Sequence, residues 1–318
     1  MPMSHYKPKP MLPVANRPVV DYAVGRLAAA GITDATFALA YKPAEIMDFV
    51  GGYIDLKPRF VCELVPMGTA GSVKRALPDI GDDFVVLSAD TVCNSDLKKL
   101  IAAHKASGAI VTMETVEVSD LGAFGAVGEE GGFVTKIDEK NPFLKGRAGL
   151  ANSGTYIINR RAFEFVPDDR PFDFARDLFP ALLARGERIA AHKADGYWKD
   201  VGSLADYYDA NFDAMKGGFP AARHLRRVPN RFRGGSLIAE TALVSGRVRD
   251  CVIGDGAIIA SSARLERCVV LPGESVTTNS CGNVIGGEFT VNPLLGNVNL
   301  NNVQNSTNIF RLFASIRL

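Results

Sequence analysis

The residues of this chain that could do chemistry fall into a few short stretches. Lys9 lies in Lys7-Pro8-Lys9-Pro10-Met11-Leu12-Pro13-Val14-Ala15-Asn16-Arg17-Pro18, a basic segment whose four prolines forbid a continuous helix and favour extended backbone. Asp90 follows the apolar run Phe84–Ser88, so its carboxylate stands at the C-terminal end of a parallel strand, where ligands collect in open α/β sheets. Asp200 lies far downstream, in Gly196-Tyr197-Trp198-Lys199-Asp200-Val201-Gly202. Glu63 precedes Met67-Gly68-Thr69-Ala70-Gly71-Ser72, in which two glycines let a backbone approach closely and Thr69 can cap the next helix. Taken singly, each stretch also has a plain structural use as a leader, a turn, a cap or a helix start.

Those residues need elements to carry them. A chain of 318 residues is long for one core, which favours two domains. Its apolar fraction of 47% and charged fraction of 22% are those of a soluble globular protein. A net charge of +1 gives no reason to expect nucleic acid or an anionic membrane as partner. No apolar run approaches the ~20 residues of a membrane span, and the N-terminus lacks a signal-peptide core. Cys62, Cys93, Cys251, Cys268 and Cys281 are widely spaced without a C-x-x-C pair, so they read as reduced thiols of a cytoplasmic protein.

Up to about residue 115, short apolar runs alternate with helical patterns. Thr36–Ala40, Arg59–Leu64, Phe84–Ser88 and Ile110–Met113 are strand candidates, with helices expected over 19–27, 44–50, 70–77 and 97–106. This alternation argues for an α/β fold, a Rossmann-like, mostly parallel sheet with helices on both faces. Strands then become denser (125–127, 133–137, 154–158 and 189–192), with helices at 174–184 and 204–215. Gly217-Gly218-Phe219-Pro220 and the arginines after it read as a solvated linker.

Beyond the linker, Ile253, Ile259, Leu265 and Leu271 recur every six residues, with Ala257, Ala263, Val269 and Ser275 four places after each. A large aliphatic at that period, with a small residue between, fills the inside of a triangular β-solenoid. About six coils fit. After Val276 the spacing stops, and 277–318 is Asn-rich, with a poorly ordered tail or sequence foreign to the rest as the expectation.

Lys-Pro-Lys-Pro-Met-Leu-Pro-Val-Ala-Asn-Arg-Pro resembles half of the signature of sugar-1-phosphate nucleotidylyltransferases, most like mannose-1-phosphate guanylyltransferases or their glucose-1-phosphate relatives. The resemblance spans roughly residues 6 to 276. It implies a nucleotidyltransferase domain over 1–218, a linker over 219–235, a left-handed β-helix of hexapeptide repeats over 236–276, and a tail of unknown structure over 277–318. It also implies in-line attack of a sugar-1-phosphate oxygen on the α-phosphorus of an NTP, with pyrophosphate leaving. Asp90 and Asp200 match the family's magnesium aspartates, and Mg²⁺ needs few carboxylates beside water and phosphate oxygen. Glu63, Gly68, Thr69 and Gly71 match its nucleotide side, with Met67 a departure from L-G-T-A-G.

On the sugar side the matches are Gly125, Glu139, Lys140, Asn152 and Gly154. Glu139 and Asn152 supply the acceptor carboxylate and the amide that vicinal hydroxyls need, and Lys140 can hold the sugar phosphate. Lys9 matches a lysine that touches the phosphates. The G-x-G-T-R-L loop that normally precedes it is missing, as is the strand before that loop. Its loss implies weak turnover with better-preserved sugar-nucleotide binding, and it leaves two neighbouring strands with unpaired edges.

The partners expected are an NTP and a sugar 1-phosphate, with no nucleic acid or membrane, and a homo-oligomer is expected. The rival reading is a non-catalytic homologue that binds sugar nucleotide and regulates a sister subunit. A hexapeptide acyltransferase is a third, against which the repeat region carries no histidine.

Overall fold

A computed structural model describes residues 7–287, 289–293 and 311–315. The proline-rich start contains one 3-10 turn (Lys9–Met11) and a small hairpin pairing Pro13–Val14 with Arg17–Pro18. Helix α1 (Val19–Ala30) follows and ends at Gly31, whose left-handed φ of +80° a side chain would strain.

The main sheet is built from β1 (Asp34–Leu39), β2 (Lys57–Cys62) and β3 (Asp83–Ser88), interleaved with α2 (Pro43–Val50) and α3 (Gly68–Ala76). After the short β4 (Thr91–Cys93) and α4 (Leu97–Ser107) come β5 (Val111–Val118), β6 (Gly125–Glu130), β7 (Phe133–Glu139) and β8 (Gly149–Asn159). A single π turn (Phe174–Leu178) leads into α5 (Phe179–Ala184), followed by β9 (Ile189–Lys193), the short β10 (Trp198–Asp200) and α6 (Leu204–Met215). The last strand of the sheet is β11 (Arg311–Ser315).

These give one nine-stranded sheet in the order β2-β1-β11-β3-β8-β5-β9-β7-β6. The sheet is mixed rather than mostly parallel. The β6–β7 hairpin turns the chain round, so β8 enters antiparallel between β3 and β5. Likewise β11 runs antiparallel to both β1 and β3, with Leu312 opposite Phe37 and Leu87. The expected unpaired edges are therefore absent: backbone groups in the middle of a buried sheet need partners, and Arg311–Ser315 supplies them.

Side-chain alternation sorts the core onto two faces. Val85 and Leu87 pack with Val20, Val24, Leu27, Ile46 and Leu100 on one face. Phe84 and Val86 pack with Val73, Phe163, Phe174, Phe179 and Leu182 on the other.

Past the linker, short strands stack in parallel along three sides. One side is Ser236–Ala239, Val252–Ile253, Val269–Val270 and Val284–Gly286. The others are Leu243–Val244, Ile258–Ile259 and Ser275–Val276, and Arg247–Arg249, Arg264–Glu266 and Ser280–Cys281. Three strands complete a turn, so each six-residue unit is a side and the expected six coils reduce to about half as many turns. Ile253, Ile259 and Leu265 are buried together with Ala257 and Ala263. Leu271 is buried too, but in the cluster that holds Leu12, Tyr207 and Tyr208, where the stack meets α6. The pairing continues beyond Val276, where the six-residue spacing ends: Ser280–Cys281, Val284–Gly286 and Phe289–Val291 all pair. The rest of the expected tail, apart from β11, lies outside the described residues.

The linker is not merely solvated. Arg223 grips Asp55, Arg226 bonds Asp48, and Arg227 reaches the buried Asp21 at 2.6 Å. Each meets an aspartate of the first region, to which charge complementarity straps it.

Candidate active site

Strand pairing assembles the acidic end of the site. β10 runs antiparallel to β4, placing Asp200 opposite Thr91, and Val201 N–H donates to the Asp90 carbonyl at 3.0 Å. Residues distant in sequence thus bring two carboxylates to one place. Lys9 Nζ lies between them, 3.1 Å from Asp90 Oδ2 and 3.2 Å from Asp200 Oδ1. Burial alone would lower the lysine pKa; the Asp200 and Asp90 carboxylates outweigh it and hold the ammonium charged, above the ordinary lysine range. The Asp200 carboxyl is pushed up by its own burial and by Asp90, with Lys9 opposing. Ser88 Oγ donates to Asp90 Oδ1.

The donor chemistry fits a hard divalent cation, since two carboxylates already converge on one positive charge and remain 27% and 29% exposed. Among the described residues no group of three or more His, Cys, Asp or Glu could hold a metal, so a cation here would take its other ligands from water and substrate oxygens.

Both aspartates open onto a cavity of about 300 Å³. Gly125, Glu139, Lys140, Asn152 and Gly154 line it too. Gly125 stands opposite Glu139 in the β6–β7 pairing, and a Cβ on it would lie 2.5 Å from Glu139 Oε2 and 3.5 Å from Asn152 Cβ. The missing side chain is what lets that carboxylate and amide share the wall. Asn152 Oδ1 accepts from Gly154 N–H at 2.9 Å, which fixes the orientation of its amide at the cavity wall. Gly154 has φ +80°, and a Cβ there would meet Ser88 Cβ at 2.9 Å. Lys140 holds a left-handed φ of +50° at the cavity wall, a conformation uncommon for a side-chain-bearing residue.

The expected nucleotide residues are placed differently. Thr69 lines the cavity, but it does not cap its own helix: Asp173 Oδ1 accepts from both its N–H and its hydroxyl, and Thr69 Oγ1 accepts from Phe174 N–H. Gly68 packs on backbone, and Gly71 lines a separate cavity beside Met67 and Lys74 rather than this one. A Cβ on Gly68 would meet Phe172 at 2.6 Å, and the N–H groups of Ala70 and Gly71 both donate to the Phe172 carbonyl. Glu63 is buried beside Ser72 Oγ at 2.8 Å, and its Oε1 has no hydrogen-bond partner among the described residues.

Several cavity residues were not singled out as site residues from sequence. Trp198 donates its indole N–H to the Ser153 carbonyl at 2.9 Å and meets the Phe124 ring edge-on. Arg176 brings a guanidinium to the cavity from the π turn, which in sequence merges with the following helix. Asp173 is visible only through its partner Thr69.

A family model described as nucleotidyl transferase matches residues 1–217. The chain belongs to the nucleotidyl transferase family. This family member is 31% identical to the mannose-1-phosphate guanylyltransferase of Mycobacterium tuberculosis over 86% of this chain and 77% of that protein. It is 28% identical to mannose-1-phosphate guanylyltransferase 1 of Arabidopsis thaliana over 91% of this chain and 83% of that protein. HddC from Yersinia pseudotuberculosis superposes with a TM-score of 0.58 at 30% identity, over 65% of this chain and 90% of HddC. A second structure of HddC, complexed with GMP-PN, gives 0.57 at 30% identity and the same coverage. No described helix of the nucleotidyltransferase is long and apolar enough to cross a membrane.

Proposed function

We propose that this chain transfers a nucleotidyl group from an NTP to a sugar 1-phosphate, releasing pyrophosphate, with GTP and mannose 1-phosphate as the favoured pair. Glucose 1-phosphate with dTTP or UTP comes next. One observation carries the reading: Asp90 and Asp200 meet at a cavity that Glu139 and Asn152 also line. Phosphate charge is handled at one end and sugar hydroxyls at the other.

In this reading Asp90 and Asp200 hold Mg²⁺, which when bound offsets the negative charge of the phosphates. Glu139 accepts from a sugar hydroxyl and the Asn152 NH₂ donates to its neighbour. Lys140 takes the sugar phosphate, and Lys9 supplies a positive charge where negative charge builds at the α-phosphorus. The domain assignment is 1–218 for catalysis, 219–235 for the linker and, from 236, a left-handed β-helix that makes homo-oligomer contacts, its parallel stacking running past 276 to Gly286. A cytoplasmic location accords with five unpaired thiols.

The test is pyrophosphate release from GTP, dTTP, UTP and ATP, each paired with mannose 1-phosphate and with glucose 1-phosphate. GTP with mannose 1-phosphate should be fastest, and Asp200→Asn should abolish its turnover. Release that is equal in Asp200→Asn, or absent for every pair, would overturn the reading.

A further inference from the structure

Beneath the cavity lies a fully buried ion pair to which the reaction assigns nothing. Arg26 on α1 donates from Nη2 to Glu114 Oε1 on β5 at 2.9 Å, with 3% and 1% side-chain exposure. A buried pair of this kind is weak support for stability, because apolar residues of like volume often serve as well. What it offers instead is a set of directed bonds. Ser153 Oγ donates to Glu114 Oε2 at 3.0 Å, and Arg26 Nη1 donates to Thr155 Oγ1 at 3.1 Å. Ser95 joins both partners, taking a bond from Arg26 Nη2 and giving one to Glu114 Oε1.

Ser153 and Thr155 flank Gly154, and the register between β8 and β5 shifts between Asn152 and Tyr156. The buried pair therefore grips this irregular stretch by side chains on either side of its left-handed glycine. Such an irregularity re-aims the residue beside it, here Asn152. On the cavity side, Trp198 Nε1 holds the Ser153 carbonyl, two residues from Asp200.

We propose that Arg26 and Glu114 are positioning residues for the sugar side of the site, acting through Ser153 to aim Asn152. The inference rests on the reading of Asn152 as a sugar contact. A carboxylate reaching from β5 explains a hydroxyl at position 153, where alanine would leave Glu114 Oε2 without the donor seen here. Neither Arg26 nor Glu114 lines the cavity, whereas Ser153 does, so the pair acts on a ligand only through the 152–154 stretch that it grips.

The chain's single tryptophan, Trp198, provides the readout by fluorescence. Dissociation constants for mannose 1-phosphate and for GTP would be measured on the full chain and on Ser153→Ala, Asn152→Ala and the double variant. Ser153→Ala should weaken mannose 1-phosphate about tenfold, the scale of a lost supporting contact, and leave GTP within about twofold. In the Asn152→Ala background it should add nothing further. The inference is overturned if Ser153→Ala binds mannose 1-phosphate as the parent does, if it weakens both ligands alike, or if the two substitutions simply add. Unchanged mannose 1-phosphate binding in Asn152→Ala would instead show that the sugar seat is misassigned, and the inference would fall with it.

Discussion

At Lys9 an ammonium occupies the space between two carboxylates that a divalent ion would also seek. The two cations repel, so metal binding must work against a charge-assisted pair worth roughly 1.5–3 kcal/mol. Lys9→Met should therefore bind Mn²⁺ at least about tenfold more tightly by calorimetry, although its turnover falls. Weaker Mn²⁺ binding in Lys9→Met would mean that the lysine organises the aspartates for the metal instead of competing with it. Gly125 and Gly154 make a related point about space. Both lack side chains where Glu139, Asn152 and Ser88 crowd in, so the wall of the cavity depends on what is missing as well as what is present.

Among the elements, α4 is anchored to the sheet by a polar contact in an apolar setting. His104 is buried, its Nδ1 2.8 Å from Thr112 Oγ1 on β5 and its Nε2 3.5 Å from Asp83 Oδ1 on β3. Burial pushes its pKa below the ordinary histidine value, with Asp83 only partly opposing. The unfolded chain thus takes up a proton that the folded chain resists. Stability from this group is full above about pH 6.5 and is lost as the pH falls through the depressed folded value. Thermal midpoints should drop between pH 7.5 and 5.5, and His104→Gln should show a smaller drop. An identical drop in both proteins would assign the acid sensitivity to other groups. Strand β11 illustrates a different principle: a buried slot between two parallel strands accepts an antiparallel partner, because hydrogen-bond capacity rather than direction is what must be met.

Over the whole molecule, Asp21 ties three parts of the chain together. Its carboxylate, almost fully buried, accepts from Arg17 Nε, from Tyr53 OH and from Arg227 Nη2 of the linker, at 2.6 to 2.7 Å. Removing it would leave the buried Tyr53 hydroxyl and the half-buried Arg17 guanidinium without this acceptor, and would free the exposed Arg227. Asp21→Ala should destabilise the fold by roughly 3 kcal/mol in urea titration. It should also make the linker a preferred site of proteolysis, since the strap by Arg223 and Arg226 is exposed and weak. A variant cut no faster than the parent would show that the linker is held by something other than this carboxylate. The stacked strands meet the first region through Leu237, Val252, Val269 and Leu271 against Leu12, Tyr207 and Tyr208, so this contact is apolar where the linker's is ionic.

Short-range chemistry was legible in the residues themselves. The strand-helix alternation and the six-residue aliphatic period depend on local sterics and spacing, whereas Lys9, Asp90, Glu139, Asn152 and Asp200 were singled out by the family resemblance of the stretches that carry them. Strand direction was not legible, and β8 and β11 made the sheet mixed, because an apolar run pairs equally well either way until its neighbours are known. Nor could the local pattern show that Gly68 and Gly71 lie against Phe172, or that Thr69 joins Asp173 in place of capping its own helix. Arg26, Glu114 and Ser153 come from three separate elements and read in sequence as unrelated polar residues. Only the tertiary structure could bring them together, since a buried charge must find its partners wherever packing has put them.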